Sequence, residues 1–228
     1  MAGDARRQLL RWSLRLLLFW SPILVVGVTF EWVLWRTGES WSLEHVLDAQ
    51  QRDPRRIFVR QYIDQGLYRY KYLGLIRHRP RILALGSSRV MMFRAGMFGA
   101  DSGAFYNAGG IIQDLADLES FVRLVPDSLM PRVIILGVDM WWLNPNYRAP
   151  GRLSSGMEID GARSWQSHLL AARAMARHPR SILYALHTAI TGGPHPEGIG
   201  LGGRGFGSGF RADGSEDNGL VAPSSSSA

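Results

Sequence analysis

Twenty-four consecutive residues, Trp12 to Trp35 (WSLRLLLFWSPILVVGVTFEWVLW), carry only two charges, Arg15 and Glu31. At about 1.5 Å per residue a helix of that length reaches about 36 Å, against a hydrocarbon core of about 30 Å. The run therefore predicts one transmembrane helix over 12–35. Arg15 and Glu31 lie near its two ends, where long charged side chains reach back to the interface, and Trp12, Trp32 and Trp35 mark the interfaces themselves. Pro22 is tolerated inside a span. Arg6, Arg7 and Arg11 precede the run and Arg15 lies in its first turn, whereas Arg36 alone follows it before Arg52, so the basic residues 1–11 are expected in the cytoplasm and everything after Arg36 outside. No small-x-small site follows the apolar run, which predicts an uncleaved signal anchor.

Among 228 residues there is no cysteine, which excludes a disulfide scaffold, a cysteine-ligated zinc or iron–sulfur site and a thiol nucleophile. The formal charge of +7 is concentrated: residues 52–94 alone carry +9, and Lys71 is the only lysine in the chain. Residues 36–78 read as a helical juxtamembrane stalk containing Tyr-Arg-Tyr-Lys-Tyr at Tyr68 to Tyr72. Interleaved aromatic and basic groups can stack on bases. Beside a membrane they are instead expected to meet anionic headgroups or to pack on the following domain, so no nucleic-acid partner is expected.

From Arg79 the pattern turns α/β. Ile82–Leu85 (ILAL), Ala104–Asn107 (AFYN) and Val133–Leu136 (VIIL) are short apolar strand candidates, each followed by glycine within a few residues. A helix-compatible run spans Val90 to Phe98, and Ile111 to Val125 has apolar residues at helical spacing before Pro126. Strands separated by helical connections predict a parallel sheet, whose ligands sit beyond the carboxyl ends of the strands. Residues 162–190 are read as one long helix, or two broken at Pro179. His168, His178 and His187 scatter around it and form neither a metal site nor a triad. The glycine-rich stretch 192–228 is expected to be disordered. Its Gly198-x-Gly200-x-x-Gly203 lacks the strand before and the helix after that a dinucleotide fingerprint requires. Phe210 to Ser215 reads as a polar turn.

Three blocks carry a family resemblance. ILALGSSRV resembles the first block of SGNH (GDSL-type) hydrolases, Tyr106 to Gly110 (YNAGG) the second, and Ile134 to Asp139 (IILGVD) the third. With the N-terminal anchor, the set looks most like the membrane-tethered branch that includes the teichoic acid D-alanine transfer protein and the alginate O-acetylation proteins. The resemblance implies an α/β fold with a partial flavodoxin-like, three-layer parallel domain over 79–191. It also implies a bacterial cytoplasmic-membrane location with the domain on the periplasmic or extracellular side. Site residues follow from the same blocks: Ser88 as nucleophile, with the Ser88 and Gly109 N–H groups as oxyanion donors. Asp139 stands where the family has an oxyanion-hole asparagine. Either Asp139 is protonated, or Asn144 or Asn107 donates instead, or the hole is incomplete; Asp139 capping the helix near Trp141 is an equal alternative. For Ser88 the alternative is an ordinary turn, with its hydroxyl capping the next helix. Trp141 and Trp142 are expected in the core.

The family's Asp-x-x-His block, which supplies the general base, is missing, because none of the six histidines has an acid three positions before it. Loss of the histidine from a serine triad costs on the order of 10⁶ in rate. The expectation is therefore an acyl-ester hydrolase or O-acyltransferase acting on a cell-envelope glycan or polymer, with no cofactor or metal, in a domain expected to be incomplete, its inactivity by itself standing as an open alternative. The alternative is a non-catalytic, membrane-anchored binding or assembly subunit. Expected partners are the bilayer and either an anionic envelope polysaccharide or an acyl-donating membrane partner.

Overall fold

Each of the three apolar runs becomes a strand that ends on a glycine: β1 (Ile82–Gly86), β2 (Phe105–Gly109) and β3 (Val133–Gly137). They form a parallel sheet, as their helical connections predict, and its strand order is β2-β1-β3. The computed structural model describes residues 2–144, 146, 157 and 160–218. Register places Gly109, Gly86 and Gly137 side by side at the carboxyl edge of the sheet.

Alternation along the strands sorts the core into two faces. Leu83, Leu85, Tyr106 and Ala108 pack beneath two helices, α3 (Leu67–His78) and α4 (Leu115–Leu124), with Leu75 and Phe121 as their contributions. Asp114 caps α4, accepting from the Asp117 N–H at 2.8 Å. On the other face, Ala84 and Phe105 are covered by two short 3-10 turns, Ser88–Met92 and Ala95–Ala104, with Phe98 stacked on Phe105 at 4.3 Å. The expected helix over Val90 to Phe98 does not form. Phe93 and Arg94 are extended, and Gly99 turns the chain at φ 54°.

The long helix α1 (Ala2–Thr37) contains Leu10–Thr37, 28 residues apolar enough to cross a membrane. From Leu10 to Val28 its large apolar side chains are exposed; Phe30, Val33 and Leu34 pack into the folded body, while Trp32 and Trp35 stay exposed. There α5 (Trp165–Ala176) and α6 (Pro179–Thr191) pack on it through one cluster of Val33, Leu34, Ala171, Met175, Ala185 and Ala189. Pro179 opens α6 at its first helical position, so the sequence splits there into two helices.

Two expectations need correction. Residues 36–78 are not a stalk. Helix α2 (Leu43–Arg52) and α3 are built into the body, and Tyr70 is buried against Phe58 and Phe210 at 5.2 and 5.8 Å. The tail is not disordered over 192–218. It forms α7 (Gly200–Phe206) and a two-stranded antiparallel pair, β4 (Gly209–Phe210) with β5 (Glu216–Asp217). Residues 219–228 lie outside the described residues. The glycines of α7 are there for contact: a Cβ on Gly200 would meet the Val59 carbonyl oxygen at 2.2 Å, and one on Gly203 the Ile57 oxygen at 2.9 Å. The Gly203 N–H donates to the Val59 carbonyl at 3.1 Å, and Val59 N–H to the Ile199 carbonyl at 3.0 Å. A helix thus begins within the Gly-x-Gly-x-x-Gly motif, at Gly200, but its glycines seat it on residues 57–60.

Candidate site at the carboxyl ends of the strands

The glycine row exists because a side chain lies across it. A Cβ on Gly137 would stand 2.3 Å from Val90 Cγ2, and one on Gly86 would stand 2.6 Å from the same atom. Val90 is buried, and it seats the turn that leaves β1 directly on the ends of β1 and β3. Ser87 is buried and caps this turn, its Oγ accepting from the Arg89 N–H at 3.4 Å. Capping therefore belongs to Ser87 and not to Ser88. Ser88, the first residue of the turn, is exposed, and its hydroxyl makes no hydrogen bond to any described residue. At that position its N–H also lies outside the helical ladder.

Asn107 fastens the turn to β2 from inside. Its Nδ2 donates to the carbonyls of Val90 and Phe93, both at 2.8 Å, and its Oδ1 accepts from the Gly109 N–H at 2.7 Å. Two expectations change as a result. The Gly109 N–H is already engaged and does not point at a vacant oxyanion position, and the Asn107 amide has no donor to spare. The neighbouring Gly110 N–H is also used, by the Gly86 and Ser87 carbonyls at 2.9 and 3.1 Å. Asn144 is exposed, and its Oδ1 accepts from the Asn146 N–H at 3.0 Å.

Asp139 is 2 % exposed and precedes the short turn Met140–Leu143, but its side chain caps nothing. One carboxylate oxygen pairs with Arg89 Nη1 at 3.2 Å, and the other is buried without a hydrogen bond among the described residues. The Arg89 guanidinium also stands over the Trp141 ring at 5.2 Å. Arg89 was not identified from sequence. The signal was present, since adjacent parallel strands ending in Ser-Ser-Arg and Val-Asp bring the cation and the carboxylate to one edge. Trp142 is buried in the main core, as expected, with Trp141 packed partly against it.

Among the described residues no histidine hydrogen-bonds to Ser88. His168 faces Glu31 at 2.9 Å and the Ala162 carbonyl at 3.0 Å, His195 pairs with Glu197 at 3.5 Å, and His45 stands edge-on to Trp41. Among the described residues no group of three or more His, Asp or Glu is placed to hold a metal. A cavity of about 420 Å³ between α2, α3 and residues 211–213 includes His78 and Asp213 in its lining, but neither Ser88 nor Asp139.

In the Tyr68 to Tyr72 motif Tyr70 and Lys71 are buried, and Tyr68, Arg69 and Tyr72 are half-buried. Lys71 is fully buried, donating to the Asn107 carbonyl at 3.0 Å and to the Gly214 carbonyl, with its ammonium 4.5 Å from the Phe210 ring centre. Burial lowers its pKa to about 7, although Asp213 and Glu216 pull the other way. Burial also raises the hydroxyl pKa of Tyr70 and Tyr106.

Comparison of the chain with protein-family models, with curated proteins and with solved structures gave no match in any of the three.

Proposed function

We propose that this chain is a membrane-anchored, extracytoplasmic SGNH-like protein that handles acyl esters of a cell-envelope glycan or polymer, as hydrolase or O-acyltransferase, with Ser88 as nucleophile. The observation that carries this reading is the Ser88 hydroxyl. It is exposed and makes no hydrogen bond among the described residues, on a turn clamped to the carboxyl edge of a parallel sheet, where ligands of such sheets bind. In the proposed reaction Ser88 Oγ attacks the ester carbonyl as its proton passes to a base. The alcohol leaves with a proton, and the acyl group moves from Ser88 to water or to an acceptor hydroxyl. The Ser88 N–H is the oxyanion donor, and the Arg89 guanidinium adds positive charge at the same edge. Helix α1 supplies the anchor, with its N-terminus in the cytoplasm of a bacterial cell.

A second reading, a non-catalytic subunit that binds acylated polymer, is favoured by the engaged Gly109 N–H and by the lack of a histidine on Ser88. A fluorophosphonate probe separates the two. Labelling of the wild-type chain that disappears in Ser88→Ala is the expected result. A folded chain that takes no label at Ser88 excludes the nucleophile and leaves the binding reading.

A further inference from the structure

The hairpin of α5 and α6 packs on α1 where the exposed, apolar part of that helix ends. Phe30, Val33 and Leu34 share one cluster with the inner faces of both helices, and His168 hydrogen-bonds to Glu31. The outer faces are not those of a water-soluble hairpin. Trp165, Leu169 and Leu170 on α5, and Leu183 and Ile190 on α6, are all more than half exposed, with Trp165 at 72 % and Leu183 at 67 %. Between them stand Arg173, Arg177 and Arg180, all exposed, and residues 161–191 contain no Asp or Glu. Apolar residues interspersed with cations alone are the signature of a helix lying in the headgroup region of an anionic leaflet. A second copy on the same faces would set arginine against arginine with no acid to pair them.

We infer that α5 and α6 form a second membrane contact, seated at the boundary of headgroups and acyl chains in the leaflet from which α1 emerges. This rests on α1 being a span. The hairpin would fix the orientation of the sheet above the bilayer, in addition to the tether.

The absence of native cysteine makes the test direct in the full chain. Leu169→Cys and Leu183→Cys are labelled with a polarity-sensitive fluorophore, with Val25→Cys as the reference inside the span. Each is reconstituted into vesicles of phosphatidylcholine and phosphatidylglycerol carrying a lipid quencher near the headgroups or deep in the chains. Shallow quenching at 169 and 183 together with deep quenching at 25 is the expected result. Quenching at 25 with none at 169 and 183 overturns the inference and leaves the anchor standing, whether those probes face water or another protein. No quenching at 25 overturns the anchor and the inference together. Replacing Arg173, Arg177 and Arg180 by Gln should weaken the hairpin's contact with the anionic leaflet about fivefold per arginine. Unchanged quenching in that variant would remove the role assigned to charge.

Discussion

Glu39 sits just past the end of α1, fully buried, and its carboxylate is shared among backbone donors. Oε1 accepts from the N–H groups of Gln61, Tyr62 and Ile63 at 2.8, 2.6 and 3.1 Å, and Oε2 from Leu201 at 2.8 Å. Glu39→Gln keeps the shape but turns an amide N–H₂ toward one of these donors, leaving buried N–H groups unpaired. The expected loss is about 2–4 kcal/mol, read by denaturant unfolding of the full chain in detergent micelles. A change below about 0.5 kcal/mol would show that water replaces the carboxylate. Sequence alone could not reveal this role, because the four donors come from segments 22 to 162 residues away. The same limit applied to Asn107. Its place in Tyr-Asn-Ala-Gly-Gly suggested an oxyanion donor, whereas its amide is consumed by the turn it holds.

Among the elements, the strands were the most legible, because a short apolar run stopped by glycine has few other uses inside an α/β pattern. Helix α7 was the least legible: glycines at Gly200, Gly202, Gly203 and Gly205 remove the side-chain period on which such a reading depends. What they provide is close approach to residues 57–60, a feature with no local sequence signature. The glycine row makes the corresponding point for the candidate site, and it can be tested by a double-mutant cycle. Gly137→Ala should cost about 1–3 kcal/mol, because its methyl group meets Val90. Val90→Ala in the same chain should recover part of that cost, giving a coupling energy of at least about 0.5 kcal/mol. Simple additivity would mean that Val90 does not seat the turn on the sheet.

For the whole molecule, the clearest titration signal is Lys71. Its folded-state pKa, near 7, lies below its ordinary 10.5, so between those values the unfolded chain holds more protons than the folded one. Stability should therefore rise with pH from about 7 to about 10, by up to a few kcal/mol. Above about 10 the buried Tyr70 and Tyr106, whose pKa values are raised, reverse the slope. Lys71→Met should flatten the rise in pH-dependent denaturation, and a slope unchanged in that variant would assign it to other groups. Residue patterns gave the parallel sheet and the long apolar helix. They did not give the union of residues 36–78 and 192–218 with that sheet, because the binding contacts are mostly backbone groups far apart in the chain.

The exit of α1 has a consequence in time. Glu39 awaits the Leu201 N–H, and the Thr37 carbonyl awaits Arg204 Nε, contacts that span 162 and 167 residues. At about 5–20 residues per second, a ribosome needs roughly ten to thirty seconds to deliver those partners after α1 has been made. Throughout that interval the end of α1 is unfinished and the sheet lacks residues 213–214 against β2, so the body can close only when synthesis has passed its glycine-rich segment.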